Sequence, residues 1–144
     1  MLTYGPIRCD LDLDSDGLRH SQLRLLHSDD DNAYGEIWVP IVVARNGEGP
    51  TVLLSSGNHG NEYEGQIILR NLISTLDAKK IRGRLIVLPG LNAPAVRAGR
   101  RVSPLDGGNL NRLFPGSTNN GPTSAIAGFV TQHLLPLCEF GLDF

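Results

Sequence analysis

Two apolar runs, Thr51-Val52-Leu53-Leu54 and Leu85-Ile86-Val87-Leu88, bracket a segment in which Ile68, Leu69, Leu72, Ile73 and Leu76 recur at three- and four-residue steps. The runs are rich in β-branched residues and leucine and read as buried strands. The periodic segment reads as a helix packed by one face, over about Glu62 to Leu76. Strand, helix and strand within about 40 residues predict a crossover between parallel strands, right-handed by default. That unit commits the chain to an α/β architecture.

The flanking segments follow the same logic. Ile7, Cys9, Leu11 and Leu13 alternate with Arg8, Asp10, Asp12 and Asp14, a period of two that predicts a strand with one buried face. Asp16-Gly17 is a tight-turn pair, and Leu18 to Leu26 returns as the partner strand. Glu36 to Ala44, with Ile37, Val39, Ile41 and Val43 alternating, reads as another strand, and Pro40 implies an edge or a bulge. An antiparallel β region over residues 1–46 is therefore expected to precede a mixed sheet with flanking helices over residues 47–144. Gly90 to Arg101 reads as loop with a short helical turn, Gly121 to Leu135 as a second helix, and Leu137 to Phe144 as the start of one more strand.

A chain of 144 residues can bury one core without staples. Its net charge of −2, with no basic stripe, argues against a nucleic-acid partner. Cys9 and Cys138 are far apart and read as free thiols of a reducing compartment. The N-terminal residues lack a basic region followed by an apolar one. No apolar run approaches the roughly 20 residues that cross a bilayer. A cytoplasmic chain without a membrane partner is the expectation.

Chemistry concentrates in Ser55-Ser56-Gly57-Asn58-His59-Gly60-Asn61-Glu62-Tyr63-Glu64-Gly65, between the first strand and the helix. In open α/β sheets, ligands gather beyond the carboxyl ends of strands. A histidine and a glutamate three residues apart at such an edge can grip one metal ion, and a zinc ion with an open position suits hydrolysis. The spacing equally permits a histidine bonded to nearby backbone and a glutamate placed for the helix dipole. Asp12-x-Asp14-x-Asp16-Gly17 matches the opening of a calcium loop, but its twelfth position is Leu23 and no helices flank it, so a hairpin is the better account. The run Asp29-Asp30-Asp31 could bind a cation or simply be a solvated loop, and His133 reads as a surface or packing residue of the second helix.

A second stretch, Arg100 to Gly116, contains Asp106-Gly107-Gly108-Asn109-Leu110-Asn111-Arg112-Leu113-Phe114-Pro115-Gly116. An Asn-Arg pair in a loop pinned by glycine and proline suits a carboxylate, because the guanidinium offers a bidentate fork. A further arginine nearby could stabilise an oxyanion. Alternatively, Arg112 pairs with a surface acid and Asp106-Gly107 merely turns the chain.

Taken together, Gly57-Asn58-His59-Gly60-Asn61-Glu62 and Asn109-Leu110-Asn111-Arg112-Leu113-Phe114-Pro115-Gly116 resemble the succinylglutamate desuccinylase/aspartoacylase family, zinc amidohydrolases related to the metallocarboxypeptidases. The hairpin, Asn32-Ala33-Tyr34-Gly35 and Asn46 to Thr51 look most like its N-acetyl-diaminobutyrate deacetylase branch. The resemblance implies that His59 and Glu62 are zinc ligands and that Asn111 and Arg112 hold the carboxylate of an N-acyl amino acid. By the same resemblance Arg101 would polarise the scissile carbonyl, with Arg100 as the alternative, and Asp106 and Asn109 would shape the loop. It further implies a third, histidine ligand directly after a strand like Phe140 to Phe144, and a general-base glutamate beyond it. The chain therefore reads as the N-terminal part of a larger enzyme, of little or no activity by itself. Its expected partner is a second copy or the C-terminal remainder of such an enzyme. A metallocarboxypeptidase and a non-catalytic carboxylate-binding module are the alternative readings.

Overall fold

The structure, a computed structural model, describes residues 1–30 and 33–144. The cation reading of the aspartate run and the Asn32-Ala33-Tyr34-Gly35 segment each include residues outside that set.

Seven strands form one mixed sheet: β1 (Leu2–Tyr4), β2 (Ile7–Cys9), β3 (Gly17–Leu26), β4 (Glu36–Asn46), β5 (Thr51–Ser55), β6 (Gly83–Leu88) and β7 (Phe140–Asp143). Their order across the sheet is β1-β2-β3-β4-β6-β5-β7. The first four strands pair antiparallel in sequence, β4 continues antiparallel onto β6, and β5 lies parallel to both β6 and β7. Among the described residues three α-helices flank the sheet: α1 (Tyr63–Thr75), α2 (Ala93–Ala98) and α3 (Gly121–Phe129). Helix α1 joins the parallel strands β5 and β6, as the apolar periodicity predicts.

Alternation along the strands sorts side chains between the two faces. Val43, Leu53 and Ile86 enter the larger core with Leu110, Ile126 and Phe129, whereas their neighbours Val42, Leu54 and Val87 pack under Leu69 of α1. Full burial of one such side chain stabilises the fold by about 1.5–3 kcal/mol. No helix among the described residues is long and apolar enough to cross a membrane.

Several expectations change in the structure. The alternating segment from Ile7 to Leu13 is a strand only as far as Cys9, and β1, too short to show a pattern, pairs with it. The β2–β3 connection is not a two-residue turn at Asp16-Gly17, because it spans residues 10–16. Asp12 Oδ1 accepts the backbone N–H groups of Asp14 and Ser15 at 2.9 and 3.1 Å. Asp14 meets Arg84 and Asp16 meets Arg45, so the three aspartates of the calcium-like pattern serve a polar turn.

Pro40 sits in the interior of β4 opposite Gln22 of β3, but β6 pairs with β4 only from Val42 onward. The missing N–H therefore costs no ladder bond on that open side. The second helix is α-helical to Phe129, widens to a π-turn over Val130–Leu134 and ends in a 3-10 turn at Leu135–Leu137. His133 packs as expected, with Nε2 2.8 Å from the Thr3 carbonyl and its ring edge-on to Tyr4. Both cysteines are free; Cys138 is half-buried. Burial raises both thiols above their ordinary value.

Candidate metal centre

The parallel strands β5 and β6 end side by side, and the loops that leave them interlock. Ser56 donates to the Leu88 carbonyl at 3.0 Å, Leu91 to Ser56 at 2.8 Å and Asn92 to Gly57 at 3.0 Å. Gly57 takes a φ of +74°, a left-handed conformation favoured by glycine, and any Cβ there would lie 2.9 Å from Val96. Gly60 has no room for a side chain, since the backbone of Ala95 occupies the place of its Cβ. The segment carrying His59 is thus pressed onto the start of α2.

From Gly60 the chain turns sharply, with Glu62 N–H donating to the His59 carbonyl at 3.3 Å. That turn brings Nδ1 of His59 to 3.0 and 3.1 Å from the two carboxylate oxygens of Glu62. The His59 side chain is 7% exposed, while that of Glu62 is 54% exposed and faces the crevice beyond the strand ends. Arg101, just past α2, reaches the same carboxylate, with Nη1 3.1 Å from Glu62 Oε1.

Nε2 of His59 lies 3.1 Å from Oδ1 of Asn109, fifty positions on. A ring that donates from Nε2 to this amide oxygen turns its Nδ1 lone pair to the acceptor-only Glu62 carboxylate, a pairing that only a cation or a second ring proton makes favourable. Metal-bound histidines are held in the same way, by a bond from the ring nitrogen remote from the metal. A nitrogen and a carboxylate converging on one point form a donor pair suited to zinc. Among the described residues, no group of three His, Cys, Asp or Glu side chains surrounds that point.

Asn111 and Arg112 lie in a single 3-10 turn, Leu110–Arg112, anchored by the fully buried Leu110. Both are exposed. The Arg112 guanidinium donates to the Asn111 carbonyl at 3.4 Å, and among the described residues no ion pair involves it, which goes against the alternative of a surface acid. The loop is fixed to α3 by Asp106, which accepts from the Thr123 N–H at 2.9 Å and its hydroxyl at 2.7 Å, and from Gly108 N–H at 3.0 Å. Burial pushes the Asp106 carboxyl up, but these bonds and one from Ser103 outweigh it and hold the carboxyl below the ordinary 3.8. Arg100 is exposed and does not join Glu62. Among the described residues, His20, His27 and His133 make no contact with His59.

Two features had no signal in the residue pattern. Asp143, at the end of β7, accepts from the Ser55 hydroxyl and from Nδ2 of Asn58, both at 2.6 Å, which ties the outermost strand to the loop carrying His59. Asn92, fully buried, donates Nδ2 to the Asn58 carbonyl at 3.4 Å.

Comparison with known proteins gives the chain relatives in sequence and in fold. Residues 48–144 match the family model of the succinylglutamate desuccinylase/aspartoacylase catalytic domain. The chain is 47% identical over 139 residues to the N-alpha-acetyl-L-2,4-diaminobutyric acid deacetylase of Halomonas elongata, covering 96% of this chain and 41% of that protein. It superposes with a TM-score of 0.94 and 46% identity on the product-bound ectoine utilization protein EutE (DoeB) of Ruegeria pomeroyi, over 99% of this chain and 44% of that one. A candidate carboxypeptidase of Burkholderia mallei shares the fold, with a TM-score of 0.62 at 16% identity over 75% of this chain and 31% of that one. The chain thus spans about two fifths of the length of the relatives it matches most fully.

Proposed function

Because this chain belongs to the succinylglutamate desuccinylase/aspartoacylase family, we propose that it carries the N-terminal part of the active centre of a zinc-dependent hydrolase of N-acyl amino acids. The convergence of His59 Nδ1 on the Glu62 carboxylate carries the reading. These two side chains would hold the ion, and the remaining ligand and the general base would come from outside the described residues. When bound, zinc acidifies water and polarises a carbonyl.

The rest of the centre acts on the substrate. Arg112, without an ion pair of its own among the described residues, offers its guanidinium fork to the substrate carboxylate, and Asn111 beside it adds an amide donor and acceptor. Arg101, already 3.1 Å from Glu62, is placed to stabilise the oxyanion that forms when the amide carbonyl is attacked. Asp106 holds the clamp loop against α3, and Asn109 keeps that loop in register with His59. The 47% identity to the Halomonas deacetylase favours an N-acetylated diamino acid as substrate. Without a base to take the proton from water, the hydrolysis would slow about 10²–10⁴-fold.

Zinc content of the purified chain, beside a His59→Ala control, tests the reading. Zinc that is bound and then lost in the control supports it. Zinc retained in the control overturns it.

A further inference from the structure

We infer that Asn92 is a positioning residue for His59, holding the peptide bond that precedes it; this rests on the reading of His59 as a metal ligand. Asn92 is fully buried at the N-cap of α2. An asparagine there ordinarily accepts an N–H from the first turn of its helix. Asn92 makes no such bond. Its side chain instead turns away, and Nδ2 donates to the carbonyl of Asn58, the carbonyl of the Asn58–His59 peptide.

The backbone of Asn92 serves the same junction: its N–H donates to Gly57 at 3.0 Å, and its carbonyl accepts from Val96 at 2.9 Å. Gly60, just after His59, lies flush on the Ala95 backbone, three residues along from Asn92. One short segment after β6 therefore braces the chain on both sides of His59. Asn58 is also gripped from the opposite direction, by Asp143 at 2.6 Å.

The side chain accepts an unfavourable arrangement in this role. Among the described residues, Oδ1 of Asn92 is buried without a hydrogen-bond partner, as are Ser56 Oγ and Asn58 Oδ1 on the facing loop. Buried polar atoms in folded proteins are nearly all paired. The Asn92 side chain thus makes no cap bond to its own helix and donates instead to the peptide that precedes His59. What it secures is the orientation of the His59 peptide.

The test compares Asn92→Ala with Val43→Ala, a core truncation on the same sheet, by thermal midpoint, by zinc affinity against a chromophoric chelator, and by the nitrogen resonances of the His59 ring. The expected result is a shift of the His59 ring resonances and about a tenfold loss of zinc affinity in Asn92→Ala, with neither effect in Val43→Ala at a comparable fall in midpoint. Ring resonances and affinity that match Val43→Ala would overturn the inference. In a parent chain that binds no zinc by itself, the His59 ring resonances alone decide the role of Asn92. Should Asn92→Ala not fold, exchange of the Asn92 Nδ2 protons in the parent chain replaces it: slow exchange supports the bond to Asn58, and exchange at the rate of exposed Asn119 rejects it.

Discussion

Asn109 lies fifty positions after His59, and its side-chain oxygen stands 3.1 Å from Nε2 of that histidine. The two stretches singled out in the sequence thus touch through this bond and through the Arg101–Glu62 ion pair. Replacing Asn109 by Ala is expected to weaken zinc binding about 10- to 100-fold, the usual cost of losing the partner of a metal-bound histidine. Asn109→Asp should bind zinc more tightly than the parent, since a carboxylate makes the imidazole a better donor. Chelator competition measures both, and an Asn109→Ala variant with unchanged affinity would show that the contact does not orient the ring.

The exposed guanidinium of Arg112 has no acid beside it among the described residues. Arg112→Ala should therefore lower affinity for an N-acetyl amino acid by about 1.5–3 kcal/mol, the worth of hydrogen bonds to a charged group. Arg112→Lys should restore little, because an ammonium lacks the planar fork. Titration of the chain with the ligand, followed by NMR, reads both values.

Gly60 rests on the Ala95 backbone with no space for a methyl group. Gly60→Ala is expected to cost about 1–3 kcal/mol, as overpacking does, and to part the His59 loop from α2. A methyl group at Gly141 would meet nothing within 4 Å, so Gly141→Ala should be close to neutral. Denaturant midpoints compare the two, and equal effects would contradict the close approach at Gly60.

Asp106 has a lowered pKa in the folded chain, so the proton it takes up on acidification binds the unfolded chain more readily. Its contribution to stability is present above the ordinary value of 3.8 and is lost as pH falls through the lower, folded value. Asp106→Asn should flatten the stability profile in that acid window and leave its slope near neutral pH unchanged. Urea unfolding at a series of pH values checks this, and an unaltered acid slope would contradict it.

Phe129 is fully buried where α3 gives way to the π-turn, with its ring 5.0 Å from that of His133. Phe129→Ala is expected to destabilise the fold by about 3–5 kcal/mol, the usual range for a buried aromatic. Chemical denaturation measures it, and a loss under about 1 kcal/mol would mean that the core collapses around the gap.

The residues alone determined the local parts of this protein. Period-two alternation marked β2 and β4, the return of the chain after Asp16-Gly17 marked β3, and the three- and four-residue steps from Ile68 to Leu76 marked α1. His59 and Glu62 were legible as a pair because three residues and one turn separate them, a distance the backbone closes by itself. β1, at three residues, was too short to show any period, and the π-turn after Phe129 follows from packing rather than from pattern. Tertiary structure decided which segments meet at the end of β5. Asn109, Arg101, Asn92 and Asp143 reach the His59 loop from four separate places in the chain. No periodicity encodes such meetings, because they depend on which strands pair, with β6 entering between β4 and β5 and β7 joining the far side of β5. Those pairings are set by burying both sheet faces at once, a property of the assembled chain and not of any one segment.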